Sequence, residues 1–172
     1  IENKKLENRN IFNIVKKSIN LILEKYFDKY DPTYISKLKR ISLFQKKKIN
    51  SLLYNFIKKK DVSELNNNYL VYFLQKQPEA TTDVKGIYYS NQLENIKMIW
   101  KVLPPNFDLV IKEHPNCIGD RSINFYKNFL KLKNVYLSNG INLNEIIKGS
   151  EATFSIASTA SLKSALMGVP SF

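Results

Sequence analysis

Apolar residues in the first third of the chain recur at helical spacing. Between Leu6 and Tyr30 their spacing is close to that of a helix, at Ile11, Ile14, Val15, Ile19, Leu21, Ile22, Leu23 and Phe27. Tyr34–Lys60 repeats the pattern after Asp31-Pro32, a typical helix start, because proline is tolerated in the first helical turn. This periodicity predicts two long amphipathic helices. We expect residues 1–67 to be a helical remnant of, or a connection to, a preceding domain.

From Asn68 onward the pattern changes to short strands that alternate with helices. Tyr69–Leu74 is a continuous apolar run, as expected for a strand buried on both faces of a sheet. Further strands are predicted over Phe107–Lys112, Val135–Leu137, Ala152–Ile156 and from Val169, with helices over Ser90–Leu103, Ser122–Leu132, Leu143–Lys148 and Thr159–Met167. Alternation of this kind predicts an α/β fold with a Rossmann-like parallel sheet over residues 68–172.

The chain ends and the cysteine content bear on where the protein works. The sequence begins at Ile1 and stops at Phe172 just after a predicted strand start, so we expect a fragment whose second domain is incomplete at its carboxyl terminus. No stretch approaches the roughly 18 to 20 uninterrupted apolar residues that span a bilayer. The single cysteine, Cys117, cannot form an intrachain disulfide. A cytoplasmic location is therefore expected.

Positive charge is concentrated in the predicted helical segment. Of the 27 Lys and Arg residues, 16 lie at or before Lys60, against five of the 15 Asp and Glu residues. A lysine-rich solvated helix surface accounts for this, and so does peripheral contact with an anionic membrane, which would place the protein at the inner face of the cell membrane. Nucleic acid is the less favoured partner, because no base-reading motif accompanies the charge.

In parallel sheets, ligands bind beyond the carboxyl ends of the strands, and this rule selects three segments. Lys112, His114 and Pro115 follow the strand Phe107–Lys112. A lysine and an imidazole there are suited to binding phosphate oxygens, with the proline shaping the turn. The alternative is that His114 caps a loop and Lys112 is merely exposed.

The second segment is rich in hydroxyl groups and joins a buried strand to a helix. Ser158, Thr159 and Ser161 lie there, where backbone N–H groups and the helix dipole favour an anion. Serine and threonine are equally the ordinary residues that cap a helix. The segment therefore predicts either a phosphate cradle or a plain helix start.

The third segment holds Gln77 and Glu79 just beyond the strand Tyr69–Leu74. An amide and a carboxylate at this position are suited to binding sugar or ribose hydroxyls, or to orienting a reacting group. A surface turn with an exposed acid is the alternative. The sequence has no G-x-G-x-x-G, Walker or G-x-S-x-G pattern, which disfavours dinucleotide oxidoreductases, loop-type NTPases and common serine hydrolases.

Three motifs in this order resemble the capsular polysaccharide biosynthesis family. They are Gln77-Pro78-Glu79-Ala80-Thr81-Thr82, then Lys112-Glu113-His114-Pro115, then Ser158-Thr159-Ala160-Ser161 through Gly168-Val169-Pro170. That family is similar to bacterial transferases that use CMP-activated Kdo. The resemblance implies the C-terminal, donor-binding half of a GT-B fold. The sequence differs from the family pattern at Lys163, where relatives often carry a glutamate.

The resemblance also implies roles for individual residues. Lys112, His114 and Pro115 would face the donor phosphate, Ser158, Thr159 and Ser161 would complete its cradle, and Gln77 and Glu79 would line the cleft, so that Gln77, Glu79 and His114 are the candidate catalytic residues. The implied activity is glycosyl transfer from a nucleotide-activated donor, expected to be a CMP-sugar, to a capsule or lipopolysaccharide glycan. No further cofactor and no metal is expected. Polyol-phosphate transfer, sugar-nucleotide epimerisation and an inactive membrane-surface or nucleic-acid-binding protein are the alternatives.

Overall fold

The computed structural model describes residues 37–65, 67–139 and 142–172. Five helices and four strands make up this part of the chain: α1 (Lys37–Asn55), β1 (Asn68–Phe73), α2 (Gln92–Lys101), β2 (Phe107–Lys112), α3 (Ile123–Leu130), β3 (Val135–Leu137), α4 (Leu143–Lys148), β4 (Ala152–Phe154) and α5 (Thr159–Leu166). Residues Phe44–Phe172 form one compact unit, and all contacts described below lie within it.

The four strands form one parallel sheet in the order β3-β2-β1-β4. Leu70 of β1 pairs with Leu109 of β2 on one side and with Ala152 of β4 on the other. In chain order, β2 lies next to β1 and β3 lies next to β2. The chain then crosses over, and β4 pairs with the opposite side of β1. The expected α/β fold with a parallel sheet is confirmed, and its layout is compatible with a Rossmann-like domain.

Apolar side chains of alternate strand residues build a core on each face of the sheet. One face packs against α2 and α3, with Leu109 and Ile111 beside Tyr126 and Phe129. The other face packs against α4, where Val71 and Val110 meet a buried pair of isoleucines, Ile146 and Ile147. Burial on both faces is the physical reason that the strands read as continuous apolar runs.

Of the two predicted long helices, Leu6–Tyr30 lies outside the described residues. Within the other, predicted over Tyr34–Lys60, the structure has α1, which ends at Asn55, so the pair of long amphipathic helices is not confirmed. Beyond α1 the chain turns, with the Phe56 N–H bonded back to the Leu53 carbonyl, and the Lys60 backbone N–H then donates to the Leu137 carbonyl at 2.9 Å. Pairing with the exposed edge of the sheet thus replaces the final helical turn. Within the described ranges, no helix combines the length and hydrophobicity needed to cross a bilayer.

Candidate functional site

A cavity of about 350 Å³ opens at the carboxyl ends of the parallel strands. Its walls come from the segments that follow β1, β2 and β4. Six of the residues selected from the sequence line it together: Glu79, Lys112, His114, Pro115, Ser158 and Thr159. The structure therefore brings two basic side chains, a carboxylate and two hydroxyl groups to one concave surface.

Lys112 and His114 are aimed by the end of β2 and the turn after it. Lys112 is the last residue of the strand and is half-buried; this burial lowers the pKa of its ammonium group, while the neighbouring Glu113 acts in the opposite direction. His114 begins a short 3-10 turn with Pro115 in its first position, and its Nδ1 accepts from the Asn116 backbone N–H at 3.2 Å. A neutral imidazole in this bond carries its proton on Nε2, which is a donor for an anion.

The hydroxyl-rich segment starts α5. Ser158 caps the helix, with its Oγ accepting from the Ala160 backbone N–H at 3.1 Å, and Thr159 follows as an exposed first residue. Both line the cavity. Ser161 is not among the lining residues, and its hydroxyl bonds to that of Ser155. The helix start therefore combines an ordinary cap with a position facing the cavity.

Gln77 also lies outside the lining of the cavity, although Glu79 belongs to it. The Gln77 Nε2 donates to Asp83 Oδ1 at 2.8 Å and to the Ser90 carbonyl at 2.9 Å. Its Oε1 accepts from Gln92 Nε2 at 2.6 Å. With all these bonds made, the Gln77 amide holds the loop between β1 and α2 in place rather than facing a ligand.

A buried ion pair beneath the cavity was not anticipated from the sequence. The Glu113 side chain is 2% exposed and accepts from Arg121 Nη1 at 2.6 Å. The sequence does indicate that Glu113 is buried, because Glu113 continues the alternation of Leu109 and Ile111 and so lies on a buried face of the sheet. A carboxylate there requires a cationic partner.

A second cavity of about 360 Å³ lies where α2 meets the β1 and β4 side of the sheet. Its lining is mostly apolar and includes Tyr72, Met98, Ile99, Phe154 and Phe172. The two cavities are nearly equal in volume, so size does not distinguish them. Their charge distinguishes them, because the basic side chains of the first cavity are suited to an anionic ligand.

Comparisons with known proteins assign no family to the chain. No protein-family model matches it, and no curated protein sequence matches it. Among the described residues, no cluster of three or more His, Cys, Asp and Glu side chains is arranged to hold a metal ion.

Proposed function

We propose that the chain is the donor-binding part of a glycosyltransferase that uses a nucleotide-activated sugar. The observation that supports this most is the shared cavity lined by Lys112, His114 and the start of α5. These groups are the cationic and N–H donors that bind phosphate oxygens in proteins. The resemblance of the three motifs to capsular polysaccharide enzymes points to the same class of ligand.

In this proposal the donor phosphate lies between the end of β2 and the start of α5. Lys112 and the His114 Nε2–H stabilise the negative charge that develops on the departing phosphate as the sugar is transferred. Glu79, which also lines the cavity, binds sugar or ribose hydroxyls through its carboxylate. The donor is proposed to be a CMP-sugar and the acceptor a capsule or lipopolysaccharide glycan, with the reaction taking place in the cytoplasm.

Replacing His114 with alanine tests the phosphate role. We expect the affinity for CMP to fall about 10- to 100-fold, because one hydrogen bond to a charged group is lost. Isothermal titration calorimetry with CMP and UDP measures this change. Lys101→Ala is the matched control, since it removes an exposed side chain at the end of α2 and should leave the affinity unchanged. Equal affinity of the parent and His114→Ala proteins would remove the phosphate role.

A further part of the proposal is peripheral contact with an anionic membrane through α1. The helix carries no acidic residue. Its packed side holds Tyr54 in the core and Asn50, which bonds to the Gly119 carbonyl at 3.1 Å. Large apolar residues are exposed along or just after the helix: Phe44, Ile49, Leu52, Leu53 and Phe56. Apolar residues beside lysines are typical of helices that lie in a membrane surface.

Sedimentation with lipid vesicles tests this contact. The double substitution Phe44→Ser/Phe56→Ser should weaken binding to phosphatidylglycerol vesicles by at least about tenfold, since two exposed aromatic rings no longer enter the lipid. Binding should also weaken as salt is added. Val84→Ser/Val102→Ser, which changes exposed apolar residues elsewhere, is the control. Undiminished binding by the phenylalanine variant, or equal binding to neutral phosphatidylcholine vesicles, contradicts the contact.

A further inference from the structure

Glu113 stands in the sequence between the two basic residues of the cavity, but its carboxylate is directed into the protein. Both carboxylate oxygens are bonded. Oε1 accepts from the His114 backbone N–H at 2.8 Å and from Arg121 Nη1 at 2.6 Å, and Oε2 accepts from the Tyr126 hydroxyl at 2.6 Å. The carboxylate therefore holds the backbone of the very residue whose imidazole faces the cavity.

Arg121 links Glu113 to the end of the neighbouring strand, β1. Its Nη2 donates to the carbonyl oxygen of Gln75, which lies just beyond β1. The backbone N–H of Gln75 in turn donates to Gln92 Oε1 at 2.6 Å, and Gln92 Nε2 returns a bond to the Gln75 carbonyl at 3.0 Å. The ends of β1 and β2 are thus joined through one guanidinium group.

Tyr126 secures the other oxygen of Glu113 from α3. Its ring packs edge-on against Tyr54 with centroids 5.2 Å apart, and the residue is 1% exposed. Burial raises the pKa of the Tyr126 hydroxyl, and the adjacent Glu113 carboxylate raises it further, so the hydroxyl remains a donor throughout the physiological range. Three elements therefore meet at a single carboxylate.

A buried carboxylate with three strong donors has little freedom to move, because each bond broken leaves a desolvated polar group. The His114 backbone N–H donates to this carboxylate, so the turn that carries the imidazole is also held rigidly. Holding a binding group in place before the ligand arrives removes an ordering cost from binding.

We propose that Glu113 is a positioning residue for His114, and that the Glu113–Arg121 pair preorganises the phosphate-binding turn relative to the end of β1. This inference rests on the proposed donor site. Glu113 is one of the residues that line the cavity, and the role assigned to its bonded carboxylate is carried out through the His114 backbone.

Amide hydrogen exchange measured residue by residue tests the proposal in the ligand-free protein. The variant Glu113→Leu/Arg121→Met removes the acceptor for the His114 N–H without leaving an unpaired buried charge. We expect the His114 amide to exchange at least about tenfold faster than in the parent, while Val110 in the middle of β2 keeps its protection. Asp108→Asn is the control, because it replaces a different buried carboxylate, one that lies near the start of β2 and far from the turn. Should the double variant fail to fold, Glu113→Ala, which also removes the acceptor for the His114 N–H, is measured in the same way.

Calorimetry with CMP completes the test. Faster exchange at His114 together with at least about fivefold weaker CMP binding supports the proposal. Unchanged exchange at His114, or faster exchange with unchanged affinity, overturns it. Failure of the donor site itself is recognised separately, because the parent protein would then bind no CMP, or would bind it as tightly as His114→Ala does.

Discussion

Replacing Arg121 with methionine is expected to lower the free energy of unfolding by about 3 to 5 kcal/mol. The Arg121 side chain is 11% exposed and its partner Glu113 is 2% exposed, so the pair lies almost entirely out of water. Without the guanidinium group, the buried Glu113 carboxylate loses its cationic partner. The Gln75 carbonyl loses a donor as well.

Denaturant unfolding followed by circular dichroism measures this loss. Glu113→Leu/Arg121→Met provides the comparison, because removing both charges together avoids an unpaired buried ion and should recover most of the stability. Lys97→Met serves as the surface control, since its ion pair with Glu94 is exposed and should contribute less than about 1 kcal/mol. An Arg121→Met protein as stable as the parent would show that the buried pair does not need both partners.

Substituting Gly119 with alanine is expected to cost about 2 to 4 kcal/mol. Gly119 has a φ of +92°, a conformation that side chains disfavour. An added Cβ would also lie 2.4 Å from the Lys47 carbonyl oxygen in α1. The turn after His114 would have to move away from the helix, at the expense of the bond from Asn50 to the Gly119 carbonyl.

Gly168→Ala separates the two causes of this loss. Gly168 has a similar φ of +78°, but an added Cβ there would meet nothing within 4 Å, so its substitution reports backbone strain alone, about 1 kcal/mol. Thermal unfolding of both variants measures the difference. Equal losses at the two glycines would show that the close approach of Gly119 to α1 contributes nothing.

The sheet could be predicted from the sequence because its strands are buried on both faces. The predicted bounds of β2, β3 and α4 agree with the structure; β1 is shifted by one residue at each end, and α5 ends one residue before its predicted end. The helical turns at Thr81–Lys85 and Ile87–Tyr89 were missed. They depend on polar contacts, such as that of Asp83 with the Glu79 backbone N–H at 2.7 Å, that leave no periodic pattern.

The candidate site was predictable in its location and less so in its detail. The position of Lys112, His114 and Ser158 at strand ends follows from the topology of parallel sheets, and the structure places all three around one cavity. Gln77 and Ser161 were grouped with them by closeness in sequence, but their side chains bond to Gln92 and Ser155 instead. Which way a polar side chain turns depends on partners that are distant in the sequence.

The strand order β3-β2-β1-β4 has a consequence for how the site forms. Of the residues that line the cavity, His114 precedes the crossover to β4 in the chain and Ser158 follows it. Folding steps that pair distant segments are slow, because the entropy of loop closure is lost before the new contacts stabilise the chain. The nucleotide affinity proposed for this site should therefore be among the last properties gained during refolding, and a nucleotide bound there would selectively stabilise molecules in which the final strand has docked.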